Sequence, residues 1–475
     1  MNYCRYGLLF ILGAWVLISC SPFQPAVMPD AAGNLPGTYA LYGEALKPES
    51  PWWVAFGSAE LNRLIDGALA DSLTLKEAWS RLQQARSLAL QAGALSYPDL
   101  TATGSVEATR YRTDSGSAGS QGEARYALGL FSTYELDLWG GIHSLREAAR
   151  MDVNATEADR QTVAMTLTAE VGDRWVQIVS QRLQKALLEK QLATSLIFLE
   201  LIELRFRNAM VSALDVYQQK QVVAGLRARM PLIEADIQLL MHELALLLGQ
   251  SSRTDLDLVQ MTMPVLGALP PLGLPVDLLA DRPDVRAAGM RLTAAEWQLA
   301  AARANRLPAL RLSAGAQYGR SDLSLLLDTW FLSLAANLTA PLFDAGRRAA
   351  EVELRRAQVD EQLWGYRRVV LTAINEVEDA LVREARQREH IEGLESVMAA
   401  ARQGLEEALG RYRRGLSDYL PALTQLILVQ ELERDLIRQQ EVLVRYRIQL
   451  HRALGGGWTD SVDASVESAA AEVLG

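Results

Sequence analysis

Cysteine is almost absent. Cys4 and Cys20 are the only two, both within the first twenty residues, so nothing downstream can form a disulfide, a thiolate metal site or a cysteine nucleophile. Histidine is scarce and scattered: His143, His242, His390 and His451 have no ligand spacing, which argues for structural or exposed roles rather than a metal site. Lysine is confined to Lys47, Lys76, Lys185, Lys190 and Lys220, and the remaining cations are arginine. Excess positive charge is missing as well. A net charge of −10 argues against nucleic acid, which needs clustered cations to displace counterions. No phosphate-binding glycine loop or nucleophile elbow occurs, and no cofactor is expected. Carboxylates such as Glu376 and Glu378 lie on helical stretches and are expected to face water or form salt bridges rather than catalyse.

What is present is helix-forming material. The 475 residues are 49% hydrophobic and 22% charged but only 7% aromatic, with alanine, leucine, glutamine, arginine and glutamate prominent. That bias suits long helices better than a compact α/β enzyme. The length is enough for one large core or two modest ones.

The first residues read as an address. Arg5 supplies a weak positive start, and Gly7 to Leu17 is an apolar run of signal-peptide length, too short to span a bilayer comfortably. It ends in Leu17-Ile18-Ser19-Cys20, which resembles the lipobox of bacterial lipoproteins. The resemblance implies cleavage before Cys20, acyl chains on its thiol and new amino group, and removal of Cys4 with residues 1–19. Ser21 favours sorting to the outer membrane.

The chain also repeats itself. Leu75-Lys76-Glu77-Ala78 matches Val285-Arg286-Ala287-Ala288, and Tyr97-Pro98-Asp99-Leu100 matches Leu307-Pro308-Ala309-Leu310. Further on, Arg205-Phe206-Arg207 with Ala209 matches Arg411-Tyr412-Arg413 with Gly415, and Leu246 to Gly249 matches Arg452 to Gly455. Each half reads as a short helix, two strands, a very long helix, a reversal and a long helix. The boundaries expected are a linker and equatorial segment at 20–73, a first repeat at 74–250, an inter-repeat linker at 251–282, a second repeat at 283–457 and a tail at 458–475.

In the first repeat, period-two alternation predicts strands over about 99–111 and 125–138, although Phe131 and Ser132 break the pattern. In the second it predicts strands over about 308–320 and 329–341. Alternation of this length is the signature of membrane β-barrel strands; a half-buried soluble hairpin gives the same pattern. Four strands cannot close a barrel, so several chains must share one, and three chains would give twelve strands and an open lumen.

Helical hairpins are expected over about 142–249 and 346–455. From 142 to 208 there is no proline, and apolar residues recur at Val163, Leu167, Val171, Trp175, Ile178, Val179, Leu183, Leu187 and Leu188. Such a helix would be roughly 100 Å long. Pro231 should kink or break the returning helix.

With these features in view, the chain resembles the outer-membrane factors of tripartite efflux systems, the TolC/OprM/NodT type. The likeness rests on Pro51-Trp52-Trp53-Val54-Ala55-Phe56, on Leu274 to Ala288 with its Asp281-Arg282-Pro283-Asp284 centre, on the hairpin tips, and on Ala340-Pro341-Leu342-Phe343-Asp344-Ala345-Gly346-Arg347. The resemblance implies a mainly α, two-repeat fold with a long helical barrel and four membrane β-strands per chain, assembled as a homotrimer with a twelve-stranded barrel. It further implies a lipid anchor in the outer membrane of a Gram-negative bacterium, a periplasmic adaptor protein, and an inner-membrane transporter of the resistance-nodulation-division type. The duct would be passive and gated, carrying small molecules such as drugs; metal efflux and type I protein secretion are alternatives within that class. A periplasmic coiled-coil scaffold lipoprotein is the alternative outside it.

A duct needs residues that attach, seal and dock. Cys20 is the lipid attachment site. Leu420, Asp418, Asp215 and Thr424 are candidates for the periplasmic gate: three copies of Leu420 would make an apolar constriction, and rings of Asp would favour cations. Thr424 stands where relatives often carry an acidic residue, which argues against a strongly cation-selective gate. The competing roles are Leu214 and Leu420 packed between helices and the aspartates as N-caps. Arg205, Ala209, Arg411 and Gly415 are the candidate adaptor-docking tips, with the Gly415 groove expected to be the tighter.

Overall fold

The computed structural model describes Tyr39 and residues 51–111, 121–254, 256–270, 272 and 275–455. Cys20, the signal segment, residues 112–120 and the tail lie outside the described residues. After a 3-10 turn at Trp52–Phe56 come α1 (Ala59–Asp71), α2 (Leu73–Ala94), β1 (Asp99–Tyr111), β2 (Gln121–Leu136), α3 (Gly141–Arg207) and α4 (Ala213–Leu247). The second half follows as α5 (Leu278–Asp281), α6 (Pro283–Ala304), β3 (Ala309–Arg320), β4 (Trp330–Thr339), α7 (Arg347–Arg413) and α8 (Tyr419–Leu454). The repeat is metrically close: α2 and α6 both have 22 residues, and α3 and α7 both have 67.

The chain divides into two compact units. One is built from residues 81–157 and 287–367 and contains the sheet; the other holds residues 158–286 and 368–455 together with residues 51–80.

In the sheet unit the four strands are antiparallel in the order β1-β2-β3-β4. Leu130 lies opposite Ala102 on one side and Ala316 on the other, so even-numbered, mostly apolar residues share one face and odd-numbered, mostly polar ones the other. β2 starts at Gln121 rather than 125, and it runs without a break through Phe131 and Ser132. Phe131 sits on the odd face, where a Cβ at Gly129 or Gly315 would meet its ring. The expected interruption is therefore an aromatic side chain covering two glycines on a continuous strand. A cluster of Leu292, Leu299, Ala302, Val352 and Val359 packs α6 against α7 in this unit.

The helical unit holds the larger core. Leu167, Val171, Trp175 and Ile178 on α3 are buried with Leu61 and Ile65 of α1, Leu244 of α4, Ile448 of α8, and Trp52, Trp53 and Phe56. Fully burying each large apolar side chain of this kind stabilises the fold by about 1.5–3 kcal/mol. Pro231 does not break α4, which is continuous through it. Pro231 and Arg227 are both exposed, so the carbonyl left without its donor can turn to water.

The inter-repeat signature forms a charge knot around the buried Arg282. Arg282 bonds Asp284 (2.7 Å), Glu376 (2.7 Å) and the Ala453 carbonyl (3.1 Å). Nearby in sequence, the linker carbonyls of Gly267 and Ala268 accept from Arg447, whose guanidinium also holds Glu384 at 2.6 Å. Burial raises the Glu384 carboxyl, but Arg447 and Arg388 outweigh it and hold it below its usual range. His451 stacks on Trp52 at 5.7 Å, and burial, with Arg447 adding to it, pushes it down to about 4. Of the pair noted in the sequence, Glu376 is thus an ion-pair partner.

Candidate functional site

The two hairpin tips lie in the helical unit, and each ends its first helix with the same hydrogen-bond pattern. At the first tip, Ala209 N–H donates to the Phe206 carbonyl (2.9 Å) and Met210 N–H to the Arg205 carbonyl (2.9 Å). At the second, Gly415 N–H donates to Tyr412 (3.1 Å) and Leu416 N–H to Arg411 (2.9 Å). These are paired Schellman motifs, which require a left-handed residue at the position after the cap. Gly415 meets this at φ +71° without cost, whereas Ala209 is held at φ +50° against its Cβ. A Cβ at Gly415 would meet nothing within 4 Å, so backbone conformation, not crowding inside the chain, accounts for that glycine.

The returning helices begin differently. At α4, Ser212 is the N-cap and Asp215 the third helical residue of a reciprocal capping box. The Asp215 carboxylate accepts from Ser212 N–H (2.9 Å) and Oγ (2.8 Å), while Asp215 N–H donates to Ser212 Oγ (3.3 Å). Asp215 is therefore not the N-cap, and its carboxylate is engaged locally. At α8, Asp418 is the N-cap but its side chain makes no capping bond, and it is exposed.

Behind the tips is a compact aromatic cluster that sequence reasoning did not assemble. Tyr419 is 2% exposed, with Tyr412 5.4 Å away ring to ring. The Arg205 guanidinium lies 4.5 Å over the Tyr412 ring, a cross-helix cation–π contact. Tyr419 Oη donates to Gln219 Oε1 at 2.7 Å, and Gln219 Nε2 donates to the Ser195 carbonyl at 2.6 Å. One buried link thus joins α8, α4 and α3. Burial, with Tyr412 and the Asp215 carboxylate adding to it, pushes the Tyr419 phenol above its ordinary value.

The link continues along the helices. Gln430 Nε2 donates to Ser195 Oγ (3.4 Å), Gln191 Nε2 to the Gln430 carbonyl (3.1 Å), Arg434 to Gln191 Oε1 (2.5 Å), and Gln184 Nε2 to the Arg434 carbonyl (2.9 Å). Each of these polar side chains is buried, so its bonds are costly to break. Glutamines on an amphipathic helix carry no local signal that distinguishes such a ladder from a solvated face.

The leucines point outward. Leu420 is 52% exposed and Leu214 63%, so neither is packed between helices of its own chain. Thr424 is exposed, and its hydroxyl donates to the Leu420 carbonyl at 2.9 Å, which places it one turn along the same strip. Arg411 and Gly415 are also exposed. Among the described residues no three metal-ligating side chains stand together, and no helix is long and apolar enough to cross a membrane.

Comparison with known proteins places this geometry. The model of the outer membrane efflux protein family matches residues 64–250 and 274–456, the two repeats. The pyoverdine export outer membrane protein OpmQ of Pseudomonas aeruginosa is 32% identical over 424 residues, covering 86% of this chain and 87% of OpmQ. The solvent efflux pump outer membrane protein SrpC of Pseudomonas putida is 32% identical over 415 residues, covering 86% of this chain and 87% of SrpC. Among solved structures, the outer membrane protein VceC of Vibrio cholerae matches with a TM-score of 0.80 and 27% identity, over 86% of this chain and 99% of VceC.

Proposed function

Because this chain belongs to the outer membrane efflux protein family and is the outer-membrane exit duct of a tripartite efflux pump, we propose that it acts as a lipid-anchored homotrimer gated at its second hairpin tip. Cys20 carries the acyl chains and holds the protein to outer-membrane lipid. Leu420 from three copies forms the seal, with Thr424 one turn behind it. The tips, through Arg411 and Gly415 and, at the other hairpin, Arg205 and Ala209, receive a periplasmic adaptor, and a transporter of the resistance-nodulation-division type supplies the energy. No chemistry in the duct is required.

The observation that carries this reading is the exposed Leu420 held on the buried Tyr419–Gln219–Ser195 link. A side chain that seals must face its symmetry mates while its neighbour is anchored, and residues 419 and 420 divide those tasks. Small organic molecules are the cargo class, as they are for the relatives whose names specify pyoverdine or solvent.

Reconstitution of purified protein in planar bilayers, with formaldehyde crosslinking to count chains, tests the proposal. A crosslinked trimer with small, mostly closed currents supports it, and a folded protein that never conducts returns it to the scaffold class. Radiolabelled palmitate should enter the wild type and fail to enter Cys20→Ser.

A further inference from the structure

Two arginines of α8 meet buried carboxylates in opposite proportions. Glu384 accepts from Arg447 at 2.6 and 2.9 Å and from Arg388 at 2.9 Å, so one carboxylate has two cations. At Arg445 the count is reversed. Its guanidinium stands between Asp173 of α3 and Glu441 of α8, 3.8 Å from each, which is too far for a hydrogen bond. The three side chains are only 14–34% exposed. Asp173 Oδ1 and Arg445 Nε are enclosed, and among the described residues neither makes a hydrogen bond. Ser180 of α3, itself buried, faces Glu441.

The helices cannot close this gap by moving together. A Cβ at Gly172, next to Asp173, would meet the Trp52 ring at 2.9 Å and Ile448 of α8 at 3.3 Å. The backbone of α3 is therefore already pressed against its neighbours there, and the apolar core around Trp175 holds it in place.

The charges facing Asp173 are Arg445, Arg452 and Glu441 from α8 and Arg174 on its own helix. Arg174 is taken by Glu243 of α4 at 2.7 Å, and Arg445 is shared with Glu441. Burial therefore outweighs the arginines, and the Asp173 carboxyl is pushed up to about 6. Burial raises Glu441 as well, against the pull of Ser180 and Arg445.

We propose that Asp173 is a proton-operated joint between α3 and α8, firm when its carboxyl is neutral and slack when it is ionised. Protonation leaves Arg445 to Glu441 alone and removes one buried negative charge. Ionisation sets two buried carboxylates against one guanidinium, with no bond short enough to offset their lost hydration. A packed form that raises a carboxyl above its ordinary value holds the proton more tightly than the opened form does. The stabilisation is fully present below the ordinary carboxyl value and is lost as pH rises through about 6. Glu384, held below its usual range, responds in the opposite sense and loses its contribution in acid. The joint lies within one chain and depends neither on the trimer nor on the gate.

Amide hydrogen exchange of the full-length protein in lipid nanodiscs, at pH 5 and pH 7.5 and corrected for intrinsic exchange rates, tests the joint. Protection at residues 168–178 and 438–449 should be higher at pH 5 by up to about tenfold. Residues 188–195 of α3, beyond the joint, serve as the internal reference. Asp173→Asn should hold the pH 5 level at both pH values, and Glu441→Gln, which frees Arg445 for Asp173, should shrink the pH effect. Equal or lower protection at pH 5 in the wild type, or an undiminished pH effect in folded Asp173→Asn, overturns the proposal. If Asp173→Asn fails to fold, an undiminished effect in Glu441→Gln overturns it.

Discussion

The two hairpin tips stop their outgoing helices in the same way and start their returning helices in different ways. At the first tip a strained Ala209 is followed by a reciprocal Ser212–Asp215 cap; at the second an unstrained Gly415 is followed by Asp418 with no capping bond. The first tip is thus fastened by its own backbone chemistry. The second is fastened from behind, through Tyr419 to Gln219 on the other hairpin. In the proposed gating the second hairpin is the one that moves, and it does so against the ladder of buried bonds that runs from Tyr419, Gln430 and Arg434 to the first hairpin.

The contrast can be broken at several points. Gln219→Leu has the largest expected effect: it leaves the Tyr419 hydroxyl buried without its acceptor, at a cost of about 1–3 kcal/mol. Single-channel records should then show longer open times, while Tyr419→Phe with Gln219→Leu should recover part of the loss. Exchanging the left-handed residues comes next. Gly415→Ala should destabilise its tip by about 1 kcal/mol and Ala209→Gly should stabilise the other by a similar amount, read as opposite changes in amide hydrogen exchange at residues 207–212 and 413–418. Ser212→Ala should cost about 1 kcal/mol by loss of the cap and speed exchange at the start of α4. Asp418→Ala, which removes no capping bond, should change thermal stability by less than about 0.5 kcal/mol.

Much of this architecture was legible before the structure. The apolar stripe Leu167, Val171, Trp175 and Ile178 on α3 is buried as its spacing requires, and the two long helices match in length because the repeat does. Local signals also failed in instructive ways. Phe131 looked like a break because parity reports only side-chain polarity, whereas the strand needed an aromatic ring over Gly129 and Gly315. The start of β2 at Gln121 was hidden by a Ser/Gly-rich composition that reads as turn. Of the kink or break that Pro231 suggests in sequence, the break does not occur, and the solvent exposure of its turn cannot be seen in sequence.

The tips were located by the repeat, but their fastening was not. Gln219 and Ser195 join Tyr419 across some two hundred positions of chain, and a glutamine on a helix gives no sign of such a partner. Asp215 reads in sequence either as a gate charge or as an N-cap; Ser212, three residues earlier, is the N-cap, and it decides that the carboxylate closes the capping box from the third helical position. The charge knot around Arg282 explains the most specific sequence signature as a structural clamp between the linker, α7 and α8.

The proposed seal lies at the second tip and not the first. Single-channel conductance of the purified trimer, compared among wild type, Leu420→Ser and Leu214→Ser, tests it most directly. Small, mostly closed currents are expected in the wild type, clearly enlarged by Leu420→Ser and little changed by Leu214→Ser. Equal currents in all three, or enlargement by Leu214→Ser alone, would contradict it.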